Sequence, residues 1–194
     1  MARTFLLALD HGRTVGAAWG TLDQREPHHA CWTVPAVHGL TNWDAHFDRI
    51  DRILTDAADD GVTLLVLYET PLTKSPSLTA QVIRVHVGMA AITEYAATTC
   101  GARPMEQGAG TARKVVLGRG TFPKPMRAPG KLNKRGEIVG DVKAEVAAWC
   151  AEYGWDIQQG DCRDAALLWR YGQITWALKA SSHNTMRERR SAGG

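Results

Sequence analysis

The stretch FLLALDHGRTVGAAW, residues 5–19, decides how the rest of the chain is read. Residues 5–9 form one apolar run and 14–19 another, and the DHGR between them holds the glycine that a tight turn favours, so the segment reads as a hairpin of two strands. Asp10 then stands where the first strand ends. Taken alone it is an ordinary turn acid.

Reading outward, residues 30–34 (ACWTV) follow the proline-containing DQREPHH and are closed by Pro35, giving a third strand. From Asn42 the apolar positions Trp43, Phe47, Ile50, Leu54 and Ala57 recur at steps of three and four, a helical stripe that starts on Asn42 and stops at Gly61. Residues 62–68 (VTLLVLY) are apolar enough to be buried on both faces, as a central strand is, and they end at Glu69, before Thr70 and Pro71. Leu78, Val82, Val85, Met89, Ile92 and Ala96 mark a second helix, with Ser77 as its cap and Gly88 allowing close packing.

RPMEQ, residues 103–107, offers a short strand and TARKVVLG a brief helix. Residues 118–141, GRGTFPKPMRAPGKLNKRGEIVGD, carry too much Gly, Pro and charge for regular structure and read as one long loop inserted in the domain. Val142, Val146, Trp149 and Tyr153 describe another helix. The last begins near Asp161 and carries Leu167, Tyr171, Ile174 and Leu178 along one stripe, and a basic tail from Ser181 to Gly194 is expected to be disordered. The order predicts a single α/β domain over residues 1–180, with a mixed five-stranded sheet whose first three strands form a meander flanked by helices.

Composition is that of an ordinary globular protein, 44% apolar and 22% charged with a net charge of +3. Cys31, Cys100, Cys150 and Cys162 show no metal or disulfide spacing and read as four reduced thiols. No apolar run is long enough for a signal-peptide core or a membrane span, so a cytoplasmic location is expected.

A right-handed crossover from the third strand makes the fourth parallel to the first, and the two can be neighbours. Asp10 and Glu69 then emerge at one sheet edge, where ligand sites of α/β folds gather. Asp161 and Asp164, three apart, share a helical face, and docking that helix start on the strand ends completes a four-carboxylate cluster. Each acid has a plain explanation by itself: Asp161 and Asp164 as cap and first-turn acid, Glu69 as a solvated strand end. His11, beside the turn, reads as a surface histidine. Together, though, two like charges at 4 Å repel by about 4 kcal/mol at an effective dielectric near 20, and a divalent cation removes that conflict. Oxygen-only ligation suits Mg²⁺ or Mn²⁺, and two such ions roughly 4 Å apart promote phosphodiester hydrolysis.

The pattern resembles the RuvC family of Holliday junction resolvases. LLALDHG is similar to the family's first-strand Asp, LLVLYETP to its fourth-strand Glu, and GDCRDAALLW to its closing helix with two acids three apart. QVIRVHVGMAAI, and ARKVVLGRG followed by VKAEV, extend the likeness over residues 4–178. The resemblance implies an RNase H-like fold and a crossover junction endodeoxyribonuclease. It also implies two Mg²⁺ ions, with Mn²⁺ able to substitute, held by Asp10, Glu69, Asp161 and Asp164, and a homodimer acting on branched DNA. Where such resolvases often carry an aromatic residue after the Glu, this chain has Leu72. That leaves a YqgF-like RNA nuclease, or a non-catalytic nucleic-acid binding module of the same fold, as the alternative.

Between Thr111 and Lys143 the basic residues are Arg113, Lys114, Arg119, Lys124, Arg127, Lys131, Lys134, Arg135 and Lys143, opposed only by Glu137 and Asp141. This segregation suits an arm that lies on DNA phosphates. Phe122, within it, is the candidate stacking or wedge residue.

Overall fold

Strict two-residue alternation in the first strand divides the protein into two layers of helices on one sheet. The computed structural model describes residues 3–37, 40–59, 61–71, 73, 79–118, 131–132 and 138–191. Its strands β1 (Arg3–Asp10), β2 (Thr14–Thr21), β3 (His28–Thr33), β4 (Val62–Glu69) and β5 (Arg103–Gln107) form one sheet of order β3-β2-β1-β4-β5. The β1–β2 and β2–β3 pairs are antiparallel, whereas β4 runs parallel to both β1 and β5. This is the mixed sheet with a meander that the sequence order predicts.

Leu7 and Leu9 of β1 and Val66 and Tyr68 of β4 face helices α1 (Trp43–Ala57) and α2 (Ala80–Thr99), against Ile50, Leu54 and Met89. Leu6 and Ala8 of β1, with Leu65 and Leu67 of β4, face the opposite layer, built from α3 (Ala109–Leu117), α4 (Val142–Glu152) and α5 (Gly160–Ser191). There they meet Ala165, Ala166, Trp169 and their neighbours. Both faces of the central strands are fully buried, each large side chain contributing about 1.5–3 kcal/mol on leaving water.

Helix starts follow their caps. The Asn42 side chain accepts from the Ala45 amide at the head of α1, and Asp141 accepts from the Lys143 and Ala144 amides at the head of α4. For α2 the cap is Thr79, which accepts from the Val82 amide; Ser77, the residue expected there, lies outside the described residues.

Two glycines set close approaches between elements. The Trp43 ring lies so close to Gly88 that a Cβ there would come within 2.6 Å of it, the close packing expected of that glycine. At Gly16 of β2 a Cβ would fall 1.9 Å from the Asp161 carbonyl oxygen, so the first turn of α5 rests on bare strand backbone.

Three expectations change. Cys31 of β3 lies opposite Gly16 in register, and with no side chain at Gly16 to hold α5 away, Cys31 and Cys162 are joined as a disulfide with Cα atoms 6.0 Å apart; only Cys100 and Cys150 are free thiols. The backbone of α5 continues as helix to Ser191 rather than ending in a disordered tail at Ser181, since no Gly or Pro follows Gly172 before Gly193. Within the basic stretch, Lys131–Leu132 pairs antiparallel with Ile138–Val139, whose β-branched residues support a short ladder where only loop was expected. Among the described residues no helix is long and apolar enough to cross a membrane.

Candidate active site

The parallel register sets Leu9 beside Tyr68, so the chain ends of β1 and β4 deliver Asp10 and Glu69 side by side. Both follow the alternation onto the α5 face, because Ala8 and Leu67 point there. The two carboxyl groups are hydrogen-bonded to each other. With Asp164 they line a narrow cleft closed by Arg113 and by the apolar Ala112, Leu167 and Leu168. Asp161 stands beside this cleft, within electrostatic reach of Asp10 and Asp164, and its Oδ1 is 3.5 Å from the Lys143 Nζ. The structure therefore brings together all four acids singled out in the sequence.

Their proximity has a cost that appears in their protonation. Burial, then the hydrogen bond and charge of Glu69, and then the charge of Asp161 push the Asp10 carboxyl far above the usual carboxylate range, with Lys143 opposing. Asp164 is pushed up to about 6 by burial and by Asp10, against the pull of Arg113 and Lys143. Burial and mutual repulsion, only partly offset by Arg113 and Lys143, favour a bound proton in such a cluster.

Among the described residues no three His, Cys, Asp or Glu side chains stand in ligating geometry. The chemistry of the donor set nevertheless fits a hard divalent cation: every candidate donor is a carboxylate oxygen, and the shared hydrogen marks where positive charge is wanted.

The basic residues divide. Arg113 reaches the acid cleft from α3, Lys143 reaches Asp161 from the first turn of α4, and Lys114 is exposed on α3. Of the residues expected on a phosphate-binding arm, Arg113 and Lys143 thus neighbour the acids. Lys131 is described only through its backbone, and Arg119, Phe122, Lys124, Arg127, Lys134 and Arg135 lie outside the described residues, as does Leu72.

On the other face of the same strand end lies a cluster that the sequence reading missed. His11 is buried, not on the surface: its Nε2 is 3.0 Å from the Thr93 Oγ1, and its ring stacks on Tyr68 at 5.5 Å. The same hydroxyl lies 3.1 Å from the His46 Nε2, and the Trp32 Nε1 donates to the His46 Nδ1 at 3.3 Å. Tyr68 donates to Glu94. Burial lowers the His11 ring to about 3, with the His46 and His86 charges adding to it, and burial lowers His46 to about 4. The available signal was a polar residue on an apolar stripe: His46 precedes Ile50 and Leu54 at steps of four, and Thr93 sits between Met89 and Ala96.

No family model matches the chain, and no curated protein matches its sequence. Solved structures do match in fold. RuvC of Thermus thermophilus superposes with a TM-score of 0.58 at 13% identity, over 86% of this chain and 92% of that one. The same organism's RuvC in complex with Holliday junction substrate gives 0.59 at 10% identity, over 87% and 91%. The yeast mitochondrial Holliday junction resolvase Ydc2 gives 0.51 at 11%, over 94% and 83%. The chain thus has the fold of these resolvases along nearly its whole length.

Proposed function

We propose that this protein is a divalent-cation-dependent endonuclease that cuts branched DNA, resolving four-way junctions as a homodimer. The observation that carries the reading is the convergence of two strand-end acids and Asp164 on one cleft, with Asp161 beside it, in a fold shared with junction resolvases. One of those relatives is in complex with Holliday junction substrate, which supports a branched duplex as the ligand class.

Asp10, Glu69, Asp161 and Asp164 would hold Mg²⁺, two ions per site, with Mn²⁺ able to replace it. Bound there, the cations supply polarisation of a water and neutralisation of the leaving oxygen. Hydrolysis forms one P–O bond from water oxygen and breaks the P–O bond to the leaving sugar oxygen, which takes up a proton. The chain's own part is electrostatic and geometric: four carboxylates concentrate negative charge, and the apolar wall of Ala112, Leu167 and Leu168 keeps bulk water from screening it. Arg113 and Lys143 supply the fixed positive charge at the cleft, where a phosphate would approach.

The test is to incubate the protein with four-way, forked and linear duplex DNA and with a four-way RNA, each with Mg²⁺ and with EDTA, and to map the cuts. Symmetric Mg²⁺-dependent nicks in the four-way DNA are expected. Cutting that persists in EDTA, or cutting of RNA alone, overturns the proposal.

A further inference from the structure

The cluster behind Asp10 has a fixed hydrogen-bond direction. An indole N–H only donates, so the His46 Nδ1 that receives the Trp32 Nε1 carries no hydrogen. A neutral imidazole has one N–H, which then sits on the His46 Nε2 and is donated to the Thr93 Oγ1. The Thr93 hydroxyl has one hydrogen of its own, and among the described residues its only acceptor is the His11 Nε2. The His11 hydrogen is therefore on Nδ1, a buried atom with no partner among the described residues.

Four elements meet in this chain: β3 through Trp32, α1 through His46, α2 through Thr93, and the end of β1 through His11, the residue that follows Asp10. Losing the central hydroxyl would leave two ring nitrogens buried without partners, which a close-packed interior strongly disfavours.

We propose that the Trp32–His46–Thr93–His11 relay is a positioning device for Asp10: it locks the two histidines in opposite tautomers and so pins the backbone next to the candidate catalytic acid. The proposal rests on the reading of Asp10 as a cation ligand. It assigns no chemical step to His11, which acts through its neighbour.

Two measurements on the full chain test it. Long-range ¹H–¹⁵N spectra of the imidazoles at pH 7 should show His46 protonated at Nε2 and His11 at Nδ1, and both rings should lose that pattern in Thr93→Val and keep it in Thr93→Ser. Mn²⁺ titration followed by solvent proton relaxation should show affinity falling about tenfold or more in Thr93→Val, as for the loss of an outer-shell support, with recovery in Thr93→Ser. If Thr93→Val does not fold, Trp32→Phe replaces it, since removing the indole donor frees His46 to change tautomer. Identical tautomers for the two rings, or unchanged Mn²⁺ affinity in a variant whose tautomers have changed, overturns the proposal. Neither measurement needs cleavage, so a protein that binds Mn²⁺ through a locked Asp10 yet cuts no DNA would refute the nuclease reading and leave the relay standing.

Discussion

The end of β1 presents two neighbouring residues to opposite sides of the sheet, and their surroundings could hardly differ more. Asp10 enters a buried cluster of like charges that favours a bound proton, the nearby Lys143 only partly opposing it. His11 enters a neutral network in which each donor but one has an acceptor. One face is left in conflict and the other is resolved. A site that must take up a cation needs unmet charge, and unmet charge is tolerable only if the backbone carrying it is held by something else.

The widest separation between the faces should come from replacing Asp10 by Asn. Cleavage of a four-way junction should fall by about 10³-fold or more, as for the loss of a group on which the chemistry depends, with DNA binding retained. Stability near neutral pH should change by less than about 1 kcal/mol, or about 2–4 °C in Tm, because Asn reproduces the neutral carboxyl. Undiminished nicking would remove Asp10 from the site. On the histidine face the order inverts: Thr93→Val should cost about 1–3 kcal/mol of stability.

A smaller loss of activity is expected from Gly16→Ala, where a Cβ would fall 1.9 Å from the Asp161 carbonyl oxygen. The helix start must lift, carrying Asp161 and Asp164 away from Asp10, and a shift on the order of 1 Å costs about 10²-fold in rate. Gly88→Ala meets Trp43 on the other layer instead, and should lower Tm without selectively lowering the cleavage rate. Equal activity losses in the two variants would mean that the glycines merely fill the same packing role.

The acid face was legible from sequence and the histidine face was not, for a physical reason. Asp10 and Glu69 each end an apolar run, and the handedness of the crossover alone makes those strands neighbours. The i, i+3 spacing of Asp161 and Asp164 fixes their common helical face. His11, His46 and Thr93 belong to a turn and two helices, and nothing periodic links them until α1 and α2 are laid on the sheet. The Cys31–Cys162 link escaped in the same way, since it depends on a bare glycine backbone between a strand and a helix. The nearness of Arg113 and Lys143 to the acids was not legible, because a run of basic residues does not reveal which of its members fold back onto acids.

The two faces should also oppose each other in acid. His46, lowered from 6.5 to about 4, and His11, lowered to about 3, bind fewer protons folded than unfolded, so they add stability as pH rises towards 6.5. Asp164, raised from 3.8 to about 6, binds more protons folded, and its contribution is lost as pH rises through that window; Asp10 behaves alike and extends the loss to higher pH. Each group changes the slope by at most about 1.4 kcal/mol per pH unit. Denaturant titrations without divalent cation should show Asp164→Asn gaining stability more steeply than the parent between pH 4 and 6. Parallel profiles would deny Asp164 its raised protonation. Added Mg²⁺ should flatten the alkaline decline, with its affinity weakening as pH falls below about 6.

The smallest effect expected is that of Lys143→Met, and it separates the faces by how each is held. The Lys143–Asp161 pair spans 3.5 Å, but Lys143 is 68% exposed, so water and salt screen it and its loss should change stability by less than about 1 kcal/mol. The two Thr93 bonds of the histidine face are buried, so losing one partner there strands the other. If the conflict at the acids is sustained by the sheet and the relay, Lys143→Met should leave the fold intact and move the protonation of Asp10 and Asp164 further up, since the lysine charge opposes both shifts. A drop in stability as large as that of Thr93→Val would instead mean that the surface pair, not the buried network, keeps the four carboxylates together.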